Sequence, residues 1–184
     1  MITLNNIGAM KKCNLWINEK PNIEYECIKK LEEVIIKNEW VKWGNISYVI
    51  ELNLKHRHSS NYVLLGISYK YEDTKKLVIR VNSSIEDGEI VGNTLVSNSD
   101  EVHAGIPLEY SEEVIRVANT YLNSIDCSSG TITFDIGAHG YIGSSSAIFG
   151  VATEVLLKIL STDNKGDTQR IEETVFNQLT AKNQ

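Results

Sequence analysis

The residues best placed to do chemistry lie between Asp135 and Ser146, where the chain reads DIGAHGYIGSSS. Gly137, Gly140 and Gly143 let the backbone enter conformations closed to other residues. Ser144, Ser145 and Ser146 follow where an apolar helix begins, and a hydroxyl there can cap free N–H groups. Such a loop can hold an anion, because unpaired amides and the helix dipole converge on it. It can equally be a well-capped turn. His139 and Asp135 beside three serines also contain the residue types of a nucleophilic triad. The G-x-S-x-G pattern is not matched, and cap serines with a turn histidine account for the same residues without catalysis.

Other candidates are thinner. His56 and His58, two apart at a strand end with Arg57 between them, share a face that zinc ligation would permit. No cysteine or carboxylate pair completes a tetrahedral set, so they read as a solvated connection. Glu109, Glu112 and Glu113 open a helix, where carboxylates complement the dipole. Trp40 and Trp43 close the core over the helix expected just before them, or anchor a partner, since indoles are enriched at binding hot spots. No constellation supplies base, nucleophile and stabiliser together. The reading therefore assigns no catalytic residue, metal or cofactor, and leans to binding over enzymatic function.

Composition narrows the partners. The 184 residues carry 18 Lys and Arg against 24 Asp and Glu, a formal net charge of −6. That balance argues against DNA and nonspecific nucleic-acid binding, which run on clustered cations, and suits a basic protein partner. Cys13, Cys27 and Cys127 are odd in number and widely spaced, which reads as reduced thiols in the cytoplasm. No signal-peptide pattern opens the chain and no apolar run is long enough to span a bilayer.

The elements that must position the loop follow from periodicity. Short apolar clusters at residues 2–17 indicate one or two strands. From Pro21 to about Asn38, Ile28, Leu31, Val34 and Ile35 fall at helical spacing, which predicts a helix. From Ile46 the period becomes two, and strands are expected at 46–54, 62–71 and 77–81, with a weaker one at 90–96. Pro107 suits a helix start, with Tyr110, Val114, Val117, Ala118, Tyr121 and Leu122 on its apolar face. Residues 131–136 form the strand before the loop. Ile148, Phe149, Val151, Ala152, Val155, Leu156 and Ile159 then belong to a core helix. Ser161 to Asp167 reads as a polar linker and Thr168 to Lys182 as a thin helix. The fold class is α+β, an antiparallel or mixed sheet with helices on one face. The organisation is a helical extension over residues 1–44, a main domain over 45–160, and a linker with a helix over 161–184.

Two resemblances sharpen this. Ala104 to Tyr110 (AGIPLEY) with Val114 resembles the segment "GGVIPxEYxxAV" of elongation factor G domain IV, and Gly137 to Phe149 (GAHGYIGSSSAIF) aligns without gaps on "GSYHDVDSSEMAF". The similarity spans residues 75–160. It implies a sheet covered by helices with a left-handed βαβ crossover, and a loop that in the family reaches the ribosomal decoding centre. The family's tip histidine falls on Gly140, with His139 one residue earlier, and its aspartates fall on Tyr141 and Gly143. The glycine-rich tip before the hairpin has no counterpart, and GxxxxGK[ST] is absent, so no nucleotide-driven motor is implied. Gly140 to Ala147 also resembles the phosphate loop "GxGLGSSSA" of the GHMP small-molecule kinases, with Tyr141 lengthening the glycine spacing.

Three functions are therefore expected in turn. The first is a translation-factor-like module associating with the ribosome or a translation component. The second is a small acidic protein of immunity or antitoxin type that binds a basic partner. The third is a degenerate kinase-like phosphate-binding protein. The residues carrying them are His139, Gly140, Tyr141, Gly143, Ser144, Ser145 and Ser146, with Trp40 and Trp43.

Overall fold

Runs rich in Ile, Val and Tyr with alternating burial build the sheet that underlies everything else. The structure is a computed structural model describing residues 1–5, 7–8, 10–56, 59–162 and 167–181. Its strands are β1 (Ile2–Leu4), β2 (Lys11–Ile17), β3 (Lys29–Ile35), β4 (Ile46–His56), β5 (Ser59–Tyr71), β6 (Leu77–Ser83), β7 (Val102–Ala104) and β8 (Gly130–Gly140). They form one sheet in the order β1-β2-β4-β5-β8-β6-β3, and β7 pairs with the far end of β8. Every pairing is antiparallel except β6 with β8. A parallel pair needs a long crossover, and helix α1 (Leu108–Ser124) supplies it.

Helices α2 (Ser146–Ser161) and α3 (Thr168–Ala181) complete the layer. Side chains of all three helices join one cluster with the inward residues of β2, β4, β5, β6 and β8, so the helices share one face of the sheet. Helix α1 lies over β3 and β6, α2 over β4 and β5, and α3 against α2. Ile148, Phe149, Ala152, Val155, Leu156 and Ile159 of α2 are buried as periodicity indicates, while Val151 is half-buried. The thin helix is well docked, through Ile171, Val175 and Leu179.

The sheet's opposite face carries a smaller cluster of Val49, Tyr62, Leu64, Ile136 and Ala138, covered by Ile23 and by Val96 and Val102. Glu51 is buried on this side, and three donors satisfy its carboxylate. These are Tyr62 Oη at 3.1 Å, the Leu95 amide at 2.8 Å and Asn14 Nδ2 at 2.9 Å.

Two expectations need correcting. Among the described residues, 1–44 hold no helix: β1, β2 and β3 are strands of the common sheet. Residues 28–35 satisfy both periods, because Leu31 and Ile35 lie on the helix-covered face while Val34 points the other way in register with Val78. The strand expected at 90–96 reduces to a single bridge between Ile90 and His103, followed by a turn around Val96. The histidine connection includes Arg57 and His58, and part of the polar linker is 163–166; both lie outside the described residues.

Gly130 starts β8 at φ +140°, and a Cβ there would stand 2.2 Å from the Lys70 carbonyl oxygen. Gly130→Ala should therefore cost about 3 kcal/mol or more. Gly92, with open space where its Cβ would be, should accept alanine within about 0.5 kcal/mol. Urea denaturation followed by tryptophan fluorescence would read both.

Candidate functional site

The loop between β8 and α2 faces outward at the end of the sheet where β6 and β8 finish and α1 and α2 begin. The amides of residues 140–143 are already in use. Asp100 Oδ1 accepts from the Ile142 amide at 3.1 Å, and Asp100 Oδ2 accepts from the Gly143 amide at 2.8 Å. The Tyr141 amide donates to the Glu101 carbonyl at 2.8 Å, and the Gly140 amide to Ser144 Oγ at 2.8 Å. Ser144 Oγ in turn donates to the Tyr62 carbonyl at 2.6 Å. A carboxylate of the chain itself sits against the Ile142 and Gly143 amides of the loop. Asp100 thus acts as a built-in anion and would repel another.

The serines divide their work differently from a row of caps. Ser145 stands at the N-cap of α2, yet its side chain makes no capping hydrogen bond. Ser144 ties the loop to β5, and Ser146 Oγ donates to Glu109 Oε1 at 2.8 Å, joining the starts of α1 and α2. Gly140 is needed for close approach, since a Cβ would lie 2.2 Å from Asp100 Oδ2. The position onto which the resemblance carries a tip histidine is thus reserved for glycine by the Asp100 bracket. Gly137 lets Ile106 pack directly on the strand, where a Cβ would meet Ile106 Cγ1 at 2.3 Å.

His139 is buried beside His103, its antiparallel partner across β7 and β8, with ring centroids 5.9 Å apart. A file of rings runs from Tyr141 through His103, His139 and Tyr110 to Phe149 in the core, at spacings of 6.2, 5.9, 5.8 and 4.6 Å. His103 is held between the Gly88 carbonyl at 3.0 Å and the Glu101 carboxylate at 2.9 Å. Burial pushes the His139 pKa below its ordinary 6.5, with His103 adding to the effect and hydrogen bonds to backbone at Gly105 and Glu86 opposing it. Its Nδ1 faces the Gly105 carbonyl, and Ser144 faces the Tyr62 carbonyl, so the base–nucleophile contact of a triad is not made. Sequence reasoning passed over Asp100 and His103. Alternation of Glu101 and His103 around buried Val102 was the available signal for a short strand.

Trp40 and Trp43 are not part of this site. Both are half-buried against the main core, and Trp43 packs edge-on to Tyr69 at 5.4 Å. Neighbouring Val41 bridges to Ser128, just before β8 starts, so the indoles lie a strand's length from the loop that follows β8.

What the loop does present is apolar and acidic. Tyr141 is 75% exposed and Ile142 82%. Tyr141 stands between two hollows. One, of about 200 Å³, is lined by Glu86, Asp87, Glu109, Tyr110 and His139; the other, of about 560 Å³, by Ile90, Val91, Asp100, Glu101 and Ile142. Among the described residues, no lysine or arginine lines either hollow. Charge is divided along the chain in the same sense. Residues 81–157 hold eleven carboxylates against one arginine, a formal −10, while the remainder, with 17 Lys and Arg against 13 Asp and Glu, is +4.

The chain matches no protein-family model, no curated protein and no solved structure.

Two outcomes test this geometry. Asp100→Ala should cost about 2 kcal/mol, the range for hydrogen bonds to a charged acceptor, and should speed hydrogen exchange at the Ile142 and Gly143 amides. The buried His139 resists protonation, so below its ordinary pKa this side chain binds more protons in the unfolded chain than in the folded one. The His139 contribution to stability should therefore fall as pH drops from about 7 to about 5. Asp135, whose carboxyl pKa burial pushes up, works in the opposite sense. The stability difference between wild type and His139→Gln should change with pH in the direction set by His139. Denaturant titrations at several pH values would measure it.

Proposed function

We propose that the protein is a non-catalytic binding module that grips a basic protein partner with the acidic, apolar tip around Tyr141 and Ile142. The observation that carries this reading is an exposed aromatic–aliphatic pair on a loop pinned at four amides, with Glu86, Asp87, Asp100, Glu101 and Glu109 around it. Preorganised aromatic anchors contribute most of the energy at interfaces, and a surrounding charge of one sign selects partners and speeds encounter. An acidic tip repels nucleic-acid phosphate, so any ribosomal association would run through a basic protein rather than RNA. The same charge logic fits an immunity or antitoxin protein masking a basic target. No helix among the described residues is long and apolar enough to cross a membrane. The three free cysteines, two of them buried, support a reducing, cytoplasmic setting.

The test is a quantitative pull-down from the cell of origin with wild-type protein and with the Tyr141→Ser/Ile142→Ser double variant. Both side chains are exposed, so the variant's stability should stay within about 0.5 kcal/mol of wild type. A basic protein captured by wild type should bind the variant at least ~30-fold more weakly and should be released by high salt. Capture that is indifferent to both substitutions, or that depends on RNA, would overturn the reading.

A further inference from the structure

At one edge of the sheet β1 is only three residues long, a common way to blunt an edge. At the other edge, β3 presents seven residues, and no strand among those described pairs with its outer side. Ile28 and Val34 are 54% and 46% exposed, and Lys29, Lys30, Glu32 and Glu33 are exposed as well. Such an edge invites another strand unless its side chains forbid it.

The order Lys-Lys-Leu-Glu-Glu is complementary to its own reverse. In an antiparallel pair of two copies with Leu31 opposite Leu31, Lys30 meets Glu32, Lys29 meets Glu33 and Ile28 meets Val34. Each pairing joins residues of the same face, as the pleat requires. Residues equally distant from Leu31 also have backbone groups facing the same way, so groups at the free edge meet their like. Sliding the register to centre on Lys30 or Glu32 puts Lys against Lys or Glu against Glu. Parallel pairing in register sets every charge against its own kind. Like charges directly opposite destabilise a sheet, and opposite charges and apolar pairs support it. One register is therefore singled out. Glu32 already holds Arg80 of the neighbouring strand at 2.7 Å, so an incoming Lys30 would extend an existing ion pair.

We propose that β3 is a self-recognition edge, through which two copies of the chain join into one continuous sheet about a twofold axis at Leu31. The occupant is a second copy because the charge pattern complements itself. A twofold dimer makes the same patch serve on both sides.

Sedimentation velocity should show wild type as a concentration-dependent dimer. Lys29→Glu/Lys30→Glu should be monomeric alone, with the dimer weakened about a hundredfold or more. Glu32→Lys/Glu33→Lys, combined with Arg80→Glu to keep the internal pair, should also be monomeric alone. Mixing the two variants restores opposite charges at every position, and a heterodimer should form. In a Cys27→Ser background, Leu31→Cys should oxidise to a disulfide-linked dimer, which tests the register without disturbing any charge. Wild type that stays monomeric at the highest soluble concentration would overturn the proposal. So would a dimer that survives both charge reversals, a mixture that fails to associate, or a Leu31→Cys chain that does not cross-link.

Discussion

Helix α2 is apolar on nearly every side, and covering it is the constraint from which the architecture follows. Ten of its sixteen residues are buried, Thr153 among them with its hydroxyl returned to the Phe149 carbonyl at 2.8 Å. A helix of this kind is stable only when enclosed, because an uncovered stripe would leave several large aliphatic side chains in water. The sheet provides the floor through β4 and β5, and α1 and α3 provide the walls. Helix α3 is amphipathic and thin, and it has value chiefly as a wall. Lys11 of β2 reaches it, donating to the Leu179 carbonyl at 2.9 Å. Strands near the start of the chain thus close the same core as the last helix.

Anchoring α2 also fixes the loop that precedes it. The loop must leave β8, clear the end of the sheet and deliver Ser145 to the helix start, and Asp100 holds it there from the opposite wall. An internal carboxylate bound to backbone amides does what a phosphate does in nucleotide-binding loops, with the difference that it is covalently present and cannot leave. The loop consequently needs no ligand to be ordered, and its two apolar side chains are free to face outward. On the proposed function, a loop held by hydrogen bonds within its own chain, with two exposed apolar side chains, is suited to docking.

Much of this was legible in the sequence where a single period dominates. The strands from Ile46 to Val81, the helix after Pro107 and the core positions of α2 all follow from alternation or helical spacing, because each buries one well-defined face. The reading faltered where two periods coincide. In residues 28–36 the apolar positions fit a helix stripe and also two strand faces, and the β-branched residues Ile28, Val34, Ile35 and Ile36 were the evidence for a strand. The site itself was half legible. Glycines and serines marked a special loop, but the partner that defines its chemistry, Asp100, lies some forty residues earlier in a turn. No local pattern encodes such a contact.

The edge strand and the acidic tip make separate demands on the surface, and the fold lets both be met. Strand β3 lies at the side of the sheet, while the tip caps one end of β8. A twofold axis through Leu31 reverses the strand direction, so the two tips of a β3-linked dimer point to opposite ends of the joined sheet. Neither tip would then be covered by association, and each would keep its own hollows and carboxylates exposed. Charge favours the same arrangement. Two strongly acidic ends repel when adjacent and are best kept apart, whereas β3 is balanced, with two lysines against two glutamates. A basic partner with two equivalent contact surfaces could then gain from binding both tips only if its geometry spans the full joined sheet.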